Sequence, residues 1–143
     1  MFLHLLQQKE HKEAFLELAN IAVNADGFVN LKERDGLRMI AAELDLPLAK
    51  TSHSLAEILG CVQDEHVQQI FLAEILLLSY ADGDYNDAEK ELIMEMKRQF
   101  GISDEKYEAF RDWVVRMDKL KIEGMRLILN IPETETLSKR SNE

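Results

Sequence analysis

Two short acidic stretches hold the residues best suited to chemistry. Asp26, within Ala25-Asp26-Gly27, is followed seven residues later by Glu33; Asp82, within Ala81-Asp82-Gly83, is followed seven residues later by Glu89. The second stretch adds Asp84 and Asp87 where the first has Phe28 and Leu31. Residues 82–91 carry a net charge of −4, against −1 for residues 26–35. Hard cations such as Ca²⁺ and Mg²⁺ take several oxygen ligands at once, and crowded carboxylates repel one another without a counterion. The candidate ligands are therefore Asp82, Asp84, Asp87 and Glu89, with Asp26 and Glu33 as a poorer first set. The spacing is not that of an EF-hand, whose glycine and bidentate glutamate fall at the sixth and twelfth loop positions. Neither stretch contains the His or Cys that zinc favours. A purely structural reading covers the same residues: Asp-Gly ends a helix, and Asn30 and Asn86, each with a Glu three residues on, cap the next one.

The elements that must position these turns are helices. Phe15, Leu18, Ile21, Ala22 and Ala25 recur every three or four residues, which predicts a helix over about 9–26, stopped by Gly27. The same periodicity predicts helices over about 31–44, over a short stretch around 55–62, over about 64–82 and over about 87–100. The 64–82 helix is apolar nearly all round, interrupted by Glu74, and reads as central. Gly101 closes the fifth helix and Ser103 caps a sixth bearing Tyr107, Phe110, Trp113, Val114 and Met117. Ile122, Met125, Ile128 and Leu129 suggest a seventh, or an extension of the sixth. Gly36, inside the second helix, costs about 1 kcal/mol relative to Ala and marks a close helix crossing.

The halves match at an offset of 56 residues: Phe15-Leu16 with Phe71-Leu72, Ala25-Asp26-Gly27 with Ala81-Asp82-Gly83, Asn30 with Asn86, and Glu33 with Glu89. The expected architecture is all-α, of about seven helices: two three-helix repeats related by a pseudo-twofold axis, plus a closing C-terminal helix. Residues 1–131 form one domain, and the polar composition of 132–143 reads as a disordered tail. The paired A-D-G-(x)5-E turns in an acidic all-helical chain resemble the TerB-like tellurite-resistance family over roughly residues 10–130. The resemblance implies a cytosolic seven-helix fold, a divalent-metal role for Asp26, Glu33, Asp82 and Glu89, membership of stress-response gene sets, and no enzymatic activity.

Composition narrows the function classes. The chain has 143 residues and a net charge of −10, which argues against gripping phosphate backbones. No apolar run reaches the ~18 residues of a membrane span. One cysteine, Cys61, excludes an internal disulfide and is expected to be buried as a small hydrophobe rather than reactive. The N-terminal stretch is too short and too lightly charged for a signal peptide, so the expected location is cytoplasmic. His4, His11, His53 and His66 are dispersed without acidic or thiol partners at catalytic spacing and read as surface or rim residues. Trp113 reads as core, or as part of an exposed docking face. No nucleophile elbow, P-loop or Rossmann glycine pattern occurs. Two functions remain: an accessory domain with a divalent cation (Ca²⁺ or Mg²⁺) at its turns, or a pure protein-interaction module in which the turns only cap helices.

Overall fold

The computed structural model describes residues 1–25, 31–48, 52–80 and 87–130, and for 31–33 the backbone alone. The chain is all-helical, with no strand among the described residues. A 3-10 turn over Leu3–Leu5 precedes α1 (Lys9–Val23), α2 (Leu31–Leu44), α3 (Leu55–Gly60), α4 (Glu65–Tyr80), α5 (Asp87–Phe100) and α6 (Asp104–Leu129).

Local chemistry sets the boundaries. Ser54 and Glu57 form a reciprocal capping box on α3: the Ser54 hydroxyl accepts the Glu57 N–H, and the Ser54 N–H donates to the Glu57 carboxylate. Asp64 caps α4 by accepting the His66 and Val67 N–H groups, and Ser103 caps α6 by accepting that of Lys106. The ends of α2 and α5 are alike. Asp45 and Gly101 take left-handed backbone angles (φ 57° and 66°), and the next residues, Leu46 and Ile102, return N–H bonds of 2.9 and 3.0 Å to Ala41 and Lys97. That pattern satisfies carbonyls the helix would leave bare. The capping pairs expected at Asn30 and Asn86, and Gly27 as a stop, lie outside the described residues. α1 ends at Val23, earlier than its apolar pattern suggests, with the Asn24 side chain bonded back to the Asn20 carbonyl.

α4 is the central helix. Phe71, Leu72, Ile75 and Leu76 have no exposed surface, and α4 packs against α1, α5 and α6. Phe71 meets Phe15 edge-on at 5.1 Å between ring centroids and Phe100 at 6.4 Å, joining the two halves of the chain. Gly36 is a close approach as expected: a Cβ there would stand 3.2 Å from Leu78 Cδ1.

Of the two courses open to the C-terminal segment, a seventh helix or an extension of the sixth, the structure shows the extension. α6 runs unbroken for 26 residues, so there are six α-helices among the described residues. No proline or glycine lies between Met117 and Ile122, and an Arg116–Asp112 pair supports the helix just before that span. Only Tyr107 and Val114 of α6 are buried, so its second half projects beyond the core.

Candidate functional site

The acidic turns fall mostly outside the described residues: Asp26, Asp82 and Asp84 do, as does the side chain of Glu33. Asp87, the first residue of α5, is exposed, whereas Glu89 is 7% exposed. Residues two apart on a helix point about 200° apart, so α5 sends these two carboxylates in different directions. Both sit in the first turn, where the helix dipole favours negative charge. Among the described residues no group of three or more His, Cys, Asp or Glu converges as a metal site.

What the fold does assemble is a cleft of about 780 Å³ between the N-terminal segment, the start of α1, α4 and the first half of α6. Its apolar walls include Phe2, Leu5, Val67, Ile70, Phe110 and Trp113. The size lies within the range of ligand-binding clefts. Each wall has a visible cause. Phe2 is held by Glu74, a carboxylate only 6% exposed that accepts the Phe2 N–H at 2.5 Å and lies 3.1 Å from the Met1 ammonium. So placed, the Phe2 ring stands 5.6 Å from that of Trp113. Phe110 and Trp113 are three residues apart and share one face of α6.

The rim is not acidic, although the chain is. It carries His11, His66 and Lys106 against Asp64, whose carboxylate is engaged as a helix cap. The Lys106 ammonium lies 5.6 Å above the Phe110 ring, covering one end of the apolar wall with a cation. No nucleophile stands beside a base among these groups. The arrangement suits burial of an apolar surface, oriented by a few polar contacts at its edge.

One histidine has a partner that its sequence surroundings do not reveal. His53 Nδ1 lies 2.8 Å from Glu17 Oε2, and the Ser52 N–H and hydroxyl donate to Glu17 Oε1 at 2.8 and 3.0 Å. Serine, histidine and carboxylate here do not form a relay: the Ser52 hydroxyl and Glu17 approach the same ring nitrogen, whereas a triad needs opposite ones. The cluster ties the 52–54 segment to α1. Burial acts to raise the Glu17 carboxyl, but the Ser52 N–H, the His53 ring and the Ser52 hydroxyl outweigh it and hold the group below its ordinary 4.5. The bond to Glu17, then its charge, raises His53 above 6.5.

The pH dependence follows from these directions. Stability from His53 is complete below 6.5 and disappears as pH rises through its elevated pKa. Stability from Glu17 is complete above 4.5 and disappears as pH falls through its depressed pKa. The link is strongest between those limits. His53→Gln is expected to lower the melting temperature slightly near pH 5.5 and progressively less as pH rises through the elevated His53 pKa, as read from melting curves across pH.

Cys61 is exposed at the end of α3, contrary to the buried position expected for it. It follows the last helical residue, outside the apolar face that buries Ile58 and Leu59. Trp113 is half-buried on the cleft wall, between the two roles its sequence context offered. The aromatic spacing in α6 was the available signal for the cleft. Glu74 as an anchor for Phe2 had none, since its partners lie more than seventy residues away. No helix among the described residues is long and apolar enough to cross a membrane. No family model, curated protein or solved structure matches this chain.

Proposed function

We propose that this chain is a non-enzymatic interaction module whose working surface is the cleft lined by Phe2, Ile70, Phe110 and Trp113, and that the cleft receives the apolar face of a partner helix. The observation that carries this reading is an open, mainly apolar groove walled by helices, with a few polar groups in its lining. With the resemblance of its turns carried forward as part of the proposal, the module would act as a cytoplasmic TerB-like accessory domain of the tellurite and stress response. In that setting its three-helix units are related by a pseudo-twofold axis, the last helix of the second unit running on into the closing segment.

Trp113 is the single tryptophan and reports on the cleft directly. At sub-micromolar protein, titration with a capped amphipathic helical peptide with leucine at every third or fourth position is expected to shift Trp113 emission to the blue. Ile70→Glu, which places a charge in the cleft wall, is expected to weaken binding at least tenfold. No emission change in the parent would defeat the reading.

A second reading is a divalent cation at the second acidic turn, with Glu89, buried at the start of α5, as a ligand beside Asp82 and Asp84; Asp87, which α5 directs away from Glu89, drops out of the set. Chelator-treated protein given Ca²⁺ or Mg²⁺ at about a hundred times its dissociation constant should gain about 2.7 kcal/mol, or roughly 5–10 °C in a thermal scan. Asp82→Ala with Glu89→Ala should abolish that gain. Absence of any shift in the parent would leave the turns as helix caps.

A further inference from the structure

The cleft face of α6 does not stop where the core ends. Lys106, Phe110, Trp113, Met117, Leu120, Gly124 and Leu127 follow one another in alternating steps of four and three residues, the spacing of a helix–helix seam. Lys106, Phe110 and Trp113 line the cleft, whereas Leu120 and Leu127 are 65% and 77% exposed, beside Ile128 at 84%. One helix thus carries half a seam inside a groove and half a seam bare. A projecting helix of about twelve residues is only marginally stable in water without packing.

We propose that two copies of this chain pair antiparallel along α6, the projecting half of each helix filling the cleft of the other. This rests on the reading of the cleft as a helix-binding surface and names its occupant. Antiparallel registry follows from the residue sizes. Setting Met117 against Leu120 of a second copy places Trp113 against Gly124 and Phe110 against Leu127, so that the largest ring meets the residue with no side chain. The symmetry repeats each layer, giving a closed twofold contact.

Charge selects the same arrangement. Residues 116 and 123 flank the seam, and the antiparallel register brings Arg116 of each copy to Glu123 of the other. A parallel pair would set Arg116 against Lys121, stack Trp113 on Trp113 and leave both clefts without the projecting halves. Among the described residues Arg116 is paired with Asp112, at 3.1 Å and well exposed, a contact cheaply exchanged.

Sedimentation equilibrium of the full chain from about 1 to about 200 µM tests the pairing, since a self-association must depend on protomer concentration. The parent is expected to dimerise. Leu120→Glu, at an exposed position of the free chain, should be monomeric with an unchanged circular-dichroism spectrum. Arg116→Glu should raise the dissociation constant roughly tenfold, and adding Glu123→Arg should restore it to within about threefold. A parent monomeric throughout, a dimer indifferent to Leu120→Glu, or a charge swap that fails to restore association would each overturn the pairing. The peptide titration of Trp113, repeated on Leu120→Glu, separates the two levels. Binding that persists there while the parent stays monomeric discards the self-pairing and keeps the cleft as a helix site; loss of both discards both.

Discussion

Phe71→Ala is expected to destabilise the protein by about 3–5 kcal/mol, or roughly 10–15 °C in melting temperature. The ring is fully buried in α4, the helix that packs on α1, α5 and α6, and it contacts Phe15 and Phe100 edge-on at 5.1 and 6.4 Å. Removing it loses the transfer energy of an aromatic side chain and opens a cavity that three helices cannot close together. Urea unfolding followed by circular dichroism measures the loss directly. Met39→Ala is the matching control: that side chain is 72% exposed, and its removal should change stability by no more than about 0.5 kcal/mol. A loss at Phe71 no larger than the control would show that α4 is not the centre of the core.

Glu74→Ala is expected to cost about 2–3 kcal/mol, or roughly 6–10 °C, and to disturb the cleft as well. Its carboxylate is buried and accepts the Phe2 N–H, so truncation leaves a backbone donor without its acceptor. The ion pair with the Met1 ammonium contributes less, because that group is 45% exposed. Phe2 is the ring that stands beside Trp113, so its release should move Trp113 emission to the red in the folded variant. Glu74→Gln retains an acceptor oxygen and should recover much of the stability and emission. If Glu74→Ala unfolds at the parent temperature with unchanged emission, the N-terminal segment is not held in the way described.

These two residues also mark how far the sequence could be read. The position of Phe71 was legible, since a helix apolar on nearly every face has to be buried on nearly every face. The capping role of Ser103 and the turn at Gly101 were legible for the same local reason: each acts within four residues of itself. Glu74 reads in sequence only as an interruption of an apolar run. What makes its burial tolerable is a backbone N–H 72 residues away, and periodicity carries no information about such a partner. The Glu17–His53 contact escapes for the same reason, across 36 residues. The unbroken course of α6 was half legible. Its apolar pattern continues to Leu129, but the pattern of a helix says nothing of whether the core extends beneath it. The acidic turns were read from local spacing, yet of the six residues singled out only Asp87 and Glu89 have described side chains, and α5 points them apart.

Backbone amide shifts of ¹⁵N-labelled Leu120→Glu protein, recorded as the amphipathic peptide and then Ca²⁺ or Mg²⁺ are added, would test most directly whether the cleft is the working surface. Expected are peptide-induced shifts concentrated at Phe2, Ile70, Phe110 and Trp113, together with the Trp113 indole N–H. Peptide shifts absent from these residues, with cation shifts at Asp87 and Glu89 instead, would contradict it and make the acidic turn the site.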